Sequence, residues 1–153
     1  MRLNIGTGAT DPGWVSVDLF TPAADVQADM AGLPYEDGSV DAIRCSHALE
    51  HVGWREVPAV LAEWRRVLRQ WGVLWVMVPT LDYCARFWAS HEDDAWGMQL
   101  LFGSQERDGQ THRCGFTPTS LEAALRAAGF EIVCVETIWS HGQMCLVAEA
   151  FVA

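Results

Sequence analysis

The stretch Val57-Pro58-Ala59-Val60-Leu61-Ala62-Glu63-Trp64-Arg65-Arg66-Val67-Leu68-Arg69-Gln70-Trp71-Gly72-Val73-Leu74-Trp75-Val76-Met77-Val78-Pro79 decides the fold class. In its first half Val57, Val60, Leu61, Trp64, Val67 and Leu68 recur at helical spacing and share one face. Proline is tolerated only in a first helical turn, so Pro58 starts the helix near Arg55 or Glu56, and Gly72 is expected to end it. The second half, Val73 to Val78, is apolar without alternation and is closed by Pro79. Such a run fits a strand buried on both faces, as in a parallel sheet. A helix feeding a buried strand points to an α/β layered domain.

The flanking sequence extends this pattern in both directions. Upstream, Leu3-Asn4-Ile5 reads as a strand ending in Gly6-Thr7-Gly8, and Trp14 to Leu19 as a second. Asp25 to Asp29 is a very short third strand, and Val40 to Cys45 is a fourth, followed by a helix signal. Downstream, Leu81 to Ser90 and Ala95 to Phe102 look helical, and Gly103 to Thr111 is a polar loop. Thr117 is an N-cap with Pro118 at the first helical position, and Gly129 sits where a C-cap glycine belongs. Glu131 to Trp139 and Met144 to Val152 form a closing hairpin around Ser140-His141-Gly142-Gln143. The expected domain is single, 1–153, with 80–116 as an insertion on the substrate side.

Composition removes several function classes. The 153 residues include ten Arg and no Lys, so lysine-based chemistry is excluded, and the net charge of −10 opposes nucleic-acid binding. The five Cys form no CxxC pair, which fits free thiols in a reducing compartment rather than a zinc knuckle. No apolar run approaches the roughly 20 residues of a membrane span, and no secretory leader is read. A cytoplasmic protein without membrane or nucleic-acid partners is expected.

Ligands of open α/β sheets bind beyond the carboxyl ends of the strands, where strand order reverses. Gly6-Thr7-Gly8, Asp18 and Asp29-Met30 would meet there. With these residues the chain resembles a class I S-adenosylmethionine-dependent methyltransferase of the small type called methyltransferase type 11. The matching stretches are residues 3–8, 13–19, 28–41, Ser-His-Ala-Leu-Glu-His (46–51), Glu-Trp-Arg-Arg-Val-Leu-Arg (63–69) and 115–121, ending at Ala-Gly-Phe (128–130). The resemblance implies a Rossmann-like methyltransferase sheet, mostly parallel, with a C-terminal antiparallel hairpin. It implies S-adenosylmethionine as cofactor and a small-molecule acceptor methylated on O or N. It places Gly6 and Gly8 by the methionine part, Asp18 by the ribose, Asp29 and Met30 by the adenine, and Ser46 and His47 in the pocket wall, with Thr7 and Leu19 also among the cofactor-binding residues. His112 falls where the family often carries a histidine near the substrate, and its pKa range suits a general base.

The chain departs from that pattern in one large way. The helix usual between strands one and two is missing, and only Gly6 to Gly13 connect them. Eight extended residues reach roughly 26 Å, enough for a bare crossover. This shortening carries the second reading, a non-catalytic reduced fold that acts as a subunit or interaction module. It also leaves one sheet face uncovered, and with eight Trp in the chain self-association as a homodimer is expected.

His47-Ala48-Leu49-Glu50-His51 also matches the H-x-x-E-H pattern of zinc proteases, with both histidines on one face if the segment is helical. Zinc would need a third protein ligand that the spacing does not supply, so no metal is expected.

Overall fold

The computed structural model describes residues 1–7 and 11–153. Strands β1 (Arg2–Ile5), β2 (Val15–Val17), β3 (Val40–Ser46), β4 (Leu68–Pro79), β5 (Glu131–Ser140) and β6 (Gln143–Phe151) form one sheet, ordered β2-β1-β3-β4-β6-β5. The first four pair in parallel, and β6 runs antiparallel to both β4 and β5. This is the expected mostly parallel sheet with an antiparallel hairpin at its end. The helices are α1 (Val57–Val67), α2 (Leu81–Ser90), α3 (Asp94–Phe102) and α4 (Pro118–Ala127). No helix among the described residues is long and apolar enough to cross a membrane.

Strand register builds the core. Val15, Leu3, Ile43, Leu74 and Ala150 lie in line across the sheet, and Val17, Ile5, Cys45, Val76 and Ala148 form the next row on the same side. α1 and α4 pack side by side in this cluster, α1 through Val57, Val60, Leu61, Trp64 and Val67, and α4 through Leu121 and Leu125. Fully burying each such side chain contributes about 1.5–3 kcal/mol. α4 opens with a reciprocal capping box between Thr117 and Ser120, and Gly129 follows its end at φ 87°.

Three local expectations are corrected. α1 ends at Val67, not Gly72: Leu68 turns extended and pairs at once with Val40, and the ladder then skips to Ala42–Val73. Sheet pairing outweighs the last apolar repeat of the helix, and Trp71 lies within the resulting irregularity at φ 62°. The third strand shrinks to one parallel bridge, Val17–Val26, and next to it the Asp25 carboxylate accepts the Ser16 N–H and hydroxyl, so that this N–H is not paired with a backbone carbonyl there. After β3 no α-helix starts; His47 takes φ 52°, and Leu49–His51 is a single 3-10 turn.

β1 and β2 pair in parallel with no helix among the described residues between them. The consequence appears on the sheet face opposite α1 and α4. Val73, expected to be buried on both faces, is exposed there and Trp75 only half-buried.

Candidate cofactor and acceptor cavity

The cavity opens at the carboxyl ends of β1, β2 and β3 and has a volume of about 1090 Å³. Gly6 forms its floor. At φ 79° it occupies backbone space that side-chain-bearing residues avoid, and a Cβ there would stand 2.1 Å from that of Ala48. The glycine therefore lets the end of β1 and the turn after β3 close on one another. Its N–H donates to Val17 O, which ties the β1 end to β2.

Asp18 follows β2 and lines the cavity. Its Oδ1 accepts the N–H groups of Phe20 and Thr21, both at 2.8 Å, while Oδ2 carries no bond among the described residues. Leu19, Asp29 and Met30 share this wall. The loop that holds Asp29 and Met30 is anchored by α1. Buried Trp64 donates its indole N–H to Met30 O at 3.0 Å, Glu63 accepts the Leu33 N–H, and Arg66 donates to the carbonyls of Leu33 and Tyr35. Arg66 and the Leu33 N–H hold the Glu63 carboxyl below its usual range. This clamp was not read from the sequence, although Glu63-Trp64-Arg65-Arg66 stood within a matching stretch.

The opposite rim comes from the polar loop after α3. Arg107, Asp108, Gly109, Gln110, Thr111 and Arg113 all line the cavity. Gly109, at φ 82°, lies so close to the Phe20 ring that a Cβ would come within 2.4 Å of it. The loop thereby meets the segment that follows Asp18.

The histidines gather at the inner end. His47 and His51 line the cavity; His112 lines a small adjacent pocket with Glu50, and its ring lies 5.0 Å from that of His51. The segment carrying His112 is fixed because Arg113 and Cys114 donate their N–H groups to Glu50 O. His112, expected near the acceptor, borders the small pocket beside Glu50 and is not among the residues that line the large cavity. Burial pushes its pKa down, which keeps the ring neutral. His47 is 3.4 Å from Glu50 Oε1 and 3.7 Å from Cys145 Sγ. Burial opposes its charge, but Cys145 and Glu50 together outweigh that and lift its pKa to about 9. Burial pushes the Cys114 thiol up to about 12, so it stays protonated.

Gly6, Asp18, Leu19, Asp29, Met30 and His47 therefore share one cavity wall, with Thr7 next to Gly6. Ser46 closes β3 without lining the cavity, and Gly8 lies outside the described residues. His47 and His51 do not share a helical face, since no α-helix forms there.

Residues 13–76 match the family described as "Methyltransferase domain". An uncharacterised 37.1 kDa protein in transposon TN4556 of Streptomyces fradiae is 43% identical over 94 residues. That alignment covers 55% of this chain, and the chain spans only 27% of that relative. An S-adenosylmethionine-dependent methyltransferase from Methanosarcina mazei superposes with a TM-score of 0.72 at 16% identity, covering 99% of this chain and 91% of the other. The 1,6-didemethyltoxoflavin-N1-methyltransferase of Burkholderia thailandensis, bound to its substrate and S-adenosylhomocysteine, gives 0.68 at 18% identity, covering 99% and 70%. The chain thus has the fold of S-adenosylmethionine-dependent methyltransferases, and over residues 13–76 it matches the methyltransferase-domain family.

Proposed function

We propose that this domain transfers the methyl group of S-adenosylmethionine to an O or N atom of a small-molecule acceptor. The observation that carries the reading is the single cavity in which Gly6, Asp18, Leu19, Asp29, Met30 and His47 converge from three strand ends. When bound, the cofactor supplies a methyl group already activated on a sulfonium. Asp18, with one oxygen unbonded among the described residues, suits the ribose hydroxyls, and Asp29 and Met30 border the space for the adenine. The acidic wall also favours a cationic ligand.

The acceptor enters from the side of Arg107 to Arg113. Held by Asp18, Asp29 and Met30, the cofactor would supply an electrophilic methyl carbon; the acceptor's lone pair would bond to it and the acceptor's proton would leave toward the histidine end. The chain contributes chiefly position and the exclusion of water, since the leaving group needs no further activation. Titration calorimetry with S-adenosylmethionine and S-adenosylhomocysteine tests the reading. Saturable binding that weakens at least tenfold in Asp18→Asn is expected; no binding at millimolar ligand would leave the non-catalytic module as the better account.

The expected homodimer is supported by the charge layout of the open sheet face. Arg2 and Arg44 stand near its β1 margin, and Glu149 and Glu131 near its β5 margin, with Trp75 and Phe151 between. A two-fold axis running along the strands would set each positive margin against a negative one and cover the aromatics. Light scattering at increasing concentration should give twice the chain mass of 17.0 kDa, and a clean monomer at high concentration would dismiss it.

A further inference from the structure

Glu50 is only 2% exposed, yet neither carboxylate oxygen has a hydrogen-bond partner among the described residues. A buried carboxylate left this way is costly unless something positive sits against it. The closest cation is His47, an ion-pair partner 3.4 Å from Oε1 but beyond good hydrogen-bond length, so both oxygens still lack a hydrogen bond.

Around that carboxylate stand two more imidazoles. Glu50, His51 and His112 each offer one ligand atom, and these atoms lie within 4.8 Å of one another. The two rings are held in one tautomer. His51 Nδ1 is 3.1 Å from Thr111 O, and His112 Nδ1 is 3.1 Å from Leu100 O. A carbonyl only accepts, so each Nδ1 must carry the proton and each Nε2 keeps a free lone pair. This is how metal-binding histidines are oriented, with the outer nitrogen donating to a backbone carbonyl. His47 plays the matching part for the carboxylate. Cys114, whose thiol donates toward Leu49 O and Glu50 O, is not a ligand.

We propose that Glu50, His51 and His112 bind one divalent first-row transition-metal ion, of the zinc or cobalt type that imidazole and carboxylate together favour. Two nitrogens and one oxygen make the three-ligand set of an open site, and His51 borders the large cavity from which a fourth ligand would come. A bound ion would hold the ligand atoms, all within 4.8 Å of one another, at about 3.4 Å, the spacing that metal–ligand bonds near 2.1 Å impose on a tetrahedron. The third ligand, absent from the His-Ala-Leu-Glu-His stretch, arrives from the loop after α3. Metal binding stands on these residues alone. Its use, holding an oxygen of the acceptor at the inner end of the cavity, rests on the methyl-transfer reading above.

The test uses the full chain, stripped with chelator and titrated with Co²⁺. One equivalent should bind and produce visible d–d absorption, with Zn²⁺ displacing it, and elemental analysis should give one Zn²⁺ per chain. Glu50→Gln and His112→Asn should each weaken binding at least tenfold, whereas His91→Asn and His141→Asn should leave it unchanged. Near-ultraviolet circular dichroism establishes that each variant is folded. If one does not fold, His51→Asn, whose ring borders the open cavity, provides the same comparison. Absence of saturable binding at millimolar Co²⁺, or wild-type affinity in folded cluster variants, overturns the site. Cofactor calorimetry on the stripped protein separates the two proposals: metal binding without cofactor binding sinks the transferase reading alone, and the reverse result sinks the metal site alone.

Discussion

On one side of the sheet Leu3, Ile43, Leu74 and Ala150 lie in line beneath α1 and α4, each 1% exposed or less. On the other side the neighbouring row is Asn4, Arg44, Trp75 and Glu149. The strands are the same, but the connections differ. The crossover from β3 to β4 contains α1, whereas that from β1 to β2 has no helix among the described residues. On the open side the face is instead dressed by polar and stacked groups. Arg2 and Arg44 lie over the Trp14 ring at 5.1 and 4.6 Å, Arg44 pairs with Asp11, and exposed Trp71 stacks on Phe151. A helix covers a face with apolar area; without one, long cationic side chains lay their stems along the aromatics and keep their charges in water.

The largest expected effect separates these two faces through tryptophan. Trp64 is fully buried and its N–H is bonded, whereas Trp71 is 60% exposed. Trp64→Ala should cost about 3–5 kcal/mol in urea unfolding and weaken cofactor binding by freeing Met30. Trp71→Ala should cost less than about 1 kcal/mol. The comparison is made at protein dilute enough to be monomeric, where equal losses would mean that the open face packs Trp71 as tightly as the core packs Trp64.

A smaller effect is expected where the covered face meets the cavity. Gly6→Ala adds a methyl against Ala48, for about 1–3 kcal/mol, together with the cost of a positive φ. Cofactor affinity should fall with it. Normal stability and affinity would show that the β1 end adjusts freely.

The smallest effect concerns the α1 clamp and has a pH signature. The Glu63 carboxyl lies below its ordinary value because of Arg66, so the clamp's stabilisation is complete above pH 4.5. It is lost as pH falls through the lowered folded value. Glu63→Gln should cost about 1–3 kcal/mol near neutrality and progressively less on acidification, as followed by urea midpoints at a series of pH values. A cost independent of pH would refute the ion pair's role.

Much of the fold was legible because its signals are local. The apolar stripe of α1, the Thr117-Pro118 start of α4, the two helices after β4 and the closing hairpin depend on neighbours a few residues apart. They form close to where the pattern puts them. Gly6 and Asp18 were legible together because each follows a parallel strand, and such strands carry their ends to the same edge; Asp29 and Met30 follow only the single Val17–Val26 bridge. The failures were competitions that no local pattern decides. Leu68 satisfies the helix repeat, but its backbone gains a partner in Val40. The Asp25 side chain takes the Ser16 N–H that a longer strand would pair with a backbone carbonyl.

Sequence alone determined the layered α/β class, the mostly parallel sheet, the short connection between the first two strands and the strand ends around the cavity, since periodicity and turn chemistry act over short spans. Only the tertiary structure decided which sheet face stays open, how α1 clamps the loop behind Met30, and that Glu50 lies buried between His47, His51 and His112. His112 is far from Glu50 along the chain. The two meet because the carbonyl of Glu50 accepts the N–H groups of Arg113 and Cys114. Long-range pairing of that kind follows from how the whole chain closes, and no short stretch of residues encodes it.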